Sequence, residues 1–154
     1  MHPNFVEGYN GSLDNLILEL RGFSCGQKKS FLDMLGMDLS LQAFIDATAG
    51  RGRVAKDVAN AAAYIFESSK NQFCDPLMFP LSQKYTGDGQ GRFIRSIGNM
   101  DYESISYVLS GFSNSLGLIP AYFLNEASAS LQEAWAYSKS RTQVITREEE
   151  SINA

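Results

Sequence analysis

Histidine is all but missing from this chain. His2 is the only one among 154 residues, which argues against a His-based catalytic triad or a His-rich metal site. Cysteine is scarce as well. Cys25 and Cys74 stand alone, too few for a disulfide framework and without the C-x-x-C or Cys/His spacing of a zinc site. Basic charge is not in excess: 13 Lys and Arg face 17 Asp and Glu, for a net charge of −4. Nothing therefore drives nucleic-acid binding by bulk phosphate neutralisation. G-x-S-x-G and H-E-x-x-H are absent, as are paired carboxylates at a buried helical spacing. No catalytic residue and no metal ligand is nominated, and no enzyme is expected.

Long apolar runs are also missing, with one stretch to weigh. Met1 to Asn10 has neither the basic start nor the apolar run of a signal peptide. Ile105 to Leu124 carries no charge and has the length of a span. It is interrupted by Gly111, Gly117 and Pro120 and carries four serines and Asn114. A buried core segment with a turn is the reading it supports.

What is present points to helices. Hydrophobic residues make up 44% and charged residues 19%, enough to build one core in a single domain. Ser12 can cap a helix whose apolar positions Leu13, Leu16, Ile17 and Leu20 follow the helical repeat. Ser24 and Gln27 have capping-box form ahead of Phe31, Leu32 and Leu35. Gly36 is expected to stop that helix, and Ser40 to begin a further turn with Leu41, Phe44 and Ile45. Val54, Val58, Ala61 and Ile65 make a long stripe through a run of alanines. From Asn71 to Gly91 the period is lost among Pro76, Pro80, Gly87, Gly89 and Gly91. A loop of that length is functional or mobile in compact domains.

Helix is expected again near Phe93 and through Leu109 to Gly111, its stripe packing on that of Val54 to Ile65. Leu116 to Pro120 reads as a turn. A last helix would bury Phe123, Ala127, Leu131, Ala134 and Trp135. The domain is drawn over 1–141, with a solvated polar tail over 142–154 that contains Glu148-Glu149-Glu150. Asp75, Asp88, Asp101 and Glu103 read as helix caps. Cys74 is weighed as a small buried hydrophobe against a ligand-attachment thiol.

Two blocks carry a family likeness. Asn60-Ala61-Ala62-Ala63 and Phe93-Ile94-Arg95-Ser96-Ile97-Gly98 stand 33 residues apart (Asn60 to Phe93), with Tyr85-Thr86 between them. This pattern resembles the phycobiliproteins, the bilin-binding helical subunits of cyanobacterial and red-algal antennae. Over Phe44 to Gly111 the chain resembles their N-A-A-A-like block, their Y-T pair and their C-x-R-D motif. Asn114-Ser-Leu-Gly-Leu-Ile-Pro120 looks like the family's N-S-L-G-V-P.

The resemblance implies an all-α, globin-like or phycobiliprotein-like bundle. It implies a non-enzymatic subunit of a light-harvesting phycobilisome or of its assembly, cytoplasmic or thylakoid-associated on the stromal face. Arg95 stands where the family's Arg pairs with a bilin propionate. Phe93 and Ser96 stand where the family has its pigment-carrying Cys and its Asp. Gln83 occupies the place of the family's methylated Asn, the Y-Y-L-R segment is not reproduced, and the C-terminal part is shorter. No cofactor is therefore expected. Were a bilin of the phycocyanobilin type held, Arg95, Cys74 and Tyr85 would be its residues, with Cys74 as attachment point. Partnering, with itself or another protein, is expected through the first two helices, and the chain as an oligomer. The alternative is a helical coat protein of a rod-shaped RNA virus, with Arg51, Arg53, Arg92 or Arg95 lining an RNA groove in the virion.

Overall fold

A computed structural model describes residues 2–153, with side chains from residue 2 to residue 140. The chain is all-α. Its helices are α1 (Leu13–Arg21), α2 (Cys25–Thr48), α3 (Gly52–Lys70), α4 (Gly89–Gly98), α5 (Tyr102–Ser113) and α6 (Leu118–Asn153). Among the described residues there is no strand beyond an isolated antiparallel bridge between Tyr9 and Tyr85. The expected polar tail, 142–154, lies outside the residues whose side chains are described. No described helix is long and apolar enough to cross a membrane. Ile105 to Leu124 is instead the body of α5, a turn and the first turns of α6.

The starts of α1 and α2 follow local chemistry. The Ser12 hydroxyl accepts from the Asn15 amide at 3.2 Å. Ser24 and Gln27 close a full capping box, with bonds of 2.8 and 3.3 Å, which satisfies amides that a helix start leaves unpaired.

The stop expected at Gly36 does not occur. Helix α2 runs straight through it to Thr48. Gly36 is buried there because the Phe66 ring of α3 lies against it; a Cβ would come within 2.8 Å of that ring. The glycine is a close-packing position, not a terminator. Leu41, Phe44 and Ile45 consequently belong to α2 and not to a separate turn.

Helices α2 and α3 form an antiparallel pair, and α6 lies along α3 and α5; α4 packs on α2, and α1 on α5. The stripe Val54, Val58, Ala62 and Ile65 is buried, as are Ile94, Ile97 and Leu109. Their partnership differs from expectation. The principal neighbours of α3 are α2 and α6, and Ile94 and Ile97 belong to α4 whereas Leu109 belongs to α5. Periodicity reports which face of a helix is buried, and any apolar face can cover it. Among the described side chains of α6, Leu124, Ala127, Leu131 and Ala134 are fully buried, with Phe123 and Trp135 only half-buried.

Polar pairs fasten the helices where they meet. Ser106 and Ser128 meet across α5 and α6, their hydroxyls 2.6 Å apart and each within 3.0 Å of the other's carbonyl, so one hydroxyl donates to the other while that one donates to a carbonyl. Ser68 donates to the Pro120 carbonyl at 2.8 Å, tying α3 to the start of α6. Asp46, buried in α2, is held by Arg51 at 2.8 Å and by the Tyr102 hydroxyl at 2.5 Å. A buried charge is tolerated when it is paired in this way. Burial and the bond to Asp46 push the Tyr102 phenol well above its ordinary value.

Candidate functional site

The segment between α3 and α4 is ordered by several attachments. Cys74 is disulfide-bonded to Cys25 at the start of α2. The sequence spacing did not pair these two residues. Next to the bridge, the Leu77 amide donates to the Gly26 carbonyl at 2.9 Å. Gly26 is required there, since a Cβ would overlap the Asp75 carbonyl oxygen. The Phe79 amide donates to the Gln90 side chain at 2.6 Å. Further along, the N-terminal segment clasps the loop: Asn10 donates to the Lys84 carbonyl and Thr86 to the Gly8 carbonyl, at 2.8 and 2.9 Å.

Beneath the loop lies a connected cluster of aromatic rings. Phe79 stacks on Phe23 at 5.2 Å, meets Phe31 edge-on at 6.0 Å and lies tilted against Phe93 at 6.1 Å. Phe31 continues the chain to Phe112 at 5.4 Å. Tyr85 meets the Phe93 ring edge-on at 4.9 Å. Such geometries add to the stabilisation from burial itself. Phe93 is 2% exposed, so its ring fills the space at this position of α4.

The three residues singled out from the sequence are not gathered together. Tyr85 is buried against Phe93. The Cys74 sulfur is taken up in the bridge to Cys25, so it is neither a small free hydrophobe nor a free thiol for attachment. Arg95, two residues beyond Phe93, lies on a different face of α4. It is exposed and near Asp38 of α2. Burial raises the Asp38 carboxyl above its ordinary value, and Arg95 partly offsets this.

The four arginines considered for a nucleic-acid groove are scattered in their engagements. Arg51 is paired with Asp46, Arg53 lies over the Tyr137 ring at 4.8 Å, and Arg92 faces Asp88 at 3.9 Å. One polar constellation has catalytic residue types: Ser69 donates to Asp33 at 2.5 Å, with the Lys29 ammonium 3.4 Å from the same hydroxyl. Ser69 is wholly buried, so a substrate has no path to it. The trio joins α2 to α3 and is structural. No group of side chains able to hold a metal ion is found among the described residues.

Residues that the sequence did not single out meet beside the aromatic cluster. Glu19 of α1 accepts a hydrogen bond from Ser82 of the loop at 3.0 Å, and Tyr9 stands next to it. Burial first, then the Glu19 charge and a hydrogen bond to Glu19, push the Tyr9 phenol up to about 12, with a smaller opposite pull from Ser82. Unfolded tyrosine ionises near 10. Between those values the folded state holds a proton that the unfolded state has lost. Stability from this group is therefore present below pH 10 and lost as pH rises toward 12. Urea titrations at pH 9 and pH 11 are expected to show a fall in stability that is smaller in Tyr9→Phe. An identical fall in both proteins would assign it elsewhere.

The chain was compared with protein-family models, with curated proteins and with solved structures, and none of the three comparisons returned a match.

Proposed function

We propose that this protein is a non-enzymatic assembly subunit that pairs with a second copy of itself through the outer face of α2. One observation carries the reading. Met37, Leu41, Phe44 and Ile45 are 66, 55, 66 and 44% exposed. They recur at helical spacing along one side of α2, over about 12 Å of its axis. Helix α2 is apolar on opposite sides: Phe31, Leu32, Leu35 and Leu39 face the chain's own core, and the second stripe faces outward. An exposed apolar stripe of this kind marks an interface.

The apolar residues of the first two helices, expected to supply the interface, are buried in the chain's own core. Leu16, Ile17, Leu20, Phe31 and Leu35 are consumed internally. The outer stripe takes over that part. Ser40, the exposed position within it, is uncharged, and Asp38 at its edge is half-buried beside Arg95. Two copies of a chain of net charge −4 can therefore meet on this face without placing like charges in contact. A two-fold axis, the commonest symmetry of homo-oligomers, brings the same patch of each copy together.

The family resemblance supports placing this subunit in an antenna assembly of the phycobilisome kind, as a pigment-free member. Phe93 offers no nucleophile for a thioether, and Arg95 faces away from the ring cluster. The test is light scattering over a wide range of concentration. Masses above the 17.0 kDa of a single chain are expected, with Phe44→Glu raising the dissociation constant about a hundredfold, as for a central interface anchor. A monomer at every concentration would refute the proposal. The absorption spectrum of the purified native protein separates the antenna reading from the coat-protein alternative. An excess at 260 nm means bound RNA and the coat-protein alternative; visible bands would overturn the pigment-free reading.

A further inference from the structure

The bridge between Cys25 and Cys74 lies at the surface. Cys25 is exposed and Cys74 half-buried. Cys25 is also the first residue of α2, directly after the Ser24 cap. Amides at a helix start and the helix dipole favour negative charge on a sulfur there. A cleft of about 300 Å³ opens beside Cys25, and Lys28, Phe73, Ser115, Leu116 and Pro120 help to line it. Cys74 is not part of its wall. Lys28 donates to the Ser115 carbonyl at 3.0 Å, which fixes its ammonium at the cleft wall and leaves two further donors. No carboxylate lines the cleft among the described residues, whereas Asp75 directly follows Cys74.

We propose that Cys25 is a thiol-exchange site, at which a small thiol carrying carboxylates opens the bridge and stays attached. The thiolate of the incoming molecule attacks Cys25 Sγ. A sulfur–sulfur bond forms between the two. The Cys25–Cys74 bond breaks, and its electron pair leaves on Cys74 Sγ, which takes a proton from water. The incoming thiol is oxidised to a mixed disulfide and Cys74 is reduced to a thiol, so no further oxidant or reductant enters. Exposure, the positive end of α2 and Lys28 all direct an anionic thiolate to Cys25. The Asp75 charge repels it from Cys74. Opening the bridge frees the loop next to its attachment at Leu77 and Gly26. The site is independent of pairing through α2, whose outer stripe begins at Met37, more than three turns away.

The probe is reduced glutathione, with cysteamine as a thiol of opposite charge. Each is added to the native full chain at matched thiolate concentration. Samples are quenched in acid, free thiols are capped with a maleimide, and peptides are mapped by mass spectrometry. Glutathione is expected on Cys25 about tenfold more often than on Cys74, because the position of attack follows access to the sulfur. Glutathione is expected to open the bridge about threefold or more faster than cysteamine, the size of one charge contact at a solvated surface. Lys28→Gln keeps a donor for the Ser115 carbonyl and is expected to bring the two rates together. A bridge that opens only in denaturant overturns the proposal. So do adducts found equally or mainly on Cys74, cysteamine as fast as glutathione, or a preference unchanged in Lys28→Gln. If Lys28→Gln fails to fold, the position of the adduct and the comparison of the two thiols decide.

Discussion

Replacing Phe31 by alanine is expected to remove about 3–5 kcal/mol of stability, the range for emptying a large aromatic site in a core. Phe31 has no exposed surface and meets the rings of Phe23, Phe79 and Phe112. Those neighbours come from the turn before α2, from the loop and from α5, so no single helix can shift to close the void. Domains of this kind are stable by about 5–15 kcal/mol, and the loss is a large share of that. Phe73 provides the contrast. It is 92% exposed, and Phe73→Ala is expected to stay within about 0.5 kcal/mol of the parent. Urea unfolding of the two variants checks both. Similar midpoints for Phe31→Ala and the parent would show that the aromatic cluster does not hold the fold as described.

Opening the Cys25–Cys74 bridge is expected to cost about 4 kcal/mol. The two residues are separated by 49 positions, and the chain-entropy model assigns roughly that value to a loop of such length. In melting temperature this is a fall of about 10 °C for a chain of this size. The measurement is a thermal melt of the oxidised protein against the protein with both thiols reduced and counted, repeated with Cys25→Ser/Cys74→Ser. The effect should concentrate on the loop, whose attachment at Leu77 and Gly26 sits next to the bridge. Amide exchange at Leu77 is expected to accelerate before exchange in α2 and α3 does. Coincident melts of oxidised and reduced protein would show that the aromatic rings alone retain the loop.

The two faces of α2 connect stability to the proposed role. Phe31 and Phe44 lie on the same helix, yet one is wholly buried and the other 66% exposed. Substitution at Phe31 is expected to lower the stability of the subunit itself. Substitution at Phe44 is expected to leave the melt near that of the parent monomer and to act on association.

The features legible in the sequence are those decided within a few residues. The caps at Ser12 and at Ser24 with Gln27 were read correctly because their partners lie three positions away. The buried stripe of α3 was read correctly because its period is strict over Val54, Val58, Ala61 and Ile65. Proline and glycine marked the long connection, and the all-α class followed from the helical repeat with no alternating strand. Tertiary structure decided the remainder. Gly36 continues a helix because the Phe66 ring, thirty positions on, needs its missing Cβ. Helix α2 is apolar on opposite sides, so no periodic signal could say which of Phe31 and Phe44 is inside. Cys25 met Cys74, and Tyr9 met Glu19 and Ser82, only when the loop folded back across α1 and α2. Local patterns determine helices because capping and periodicity act over one or two turns. The bridge, the cleft and the outer stripe depend on which apolar faces cover one another, and an apolar face does not name its partner.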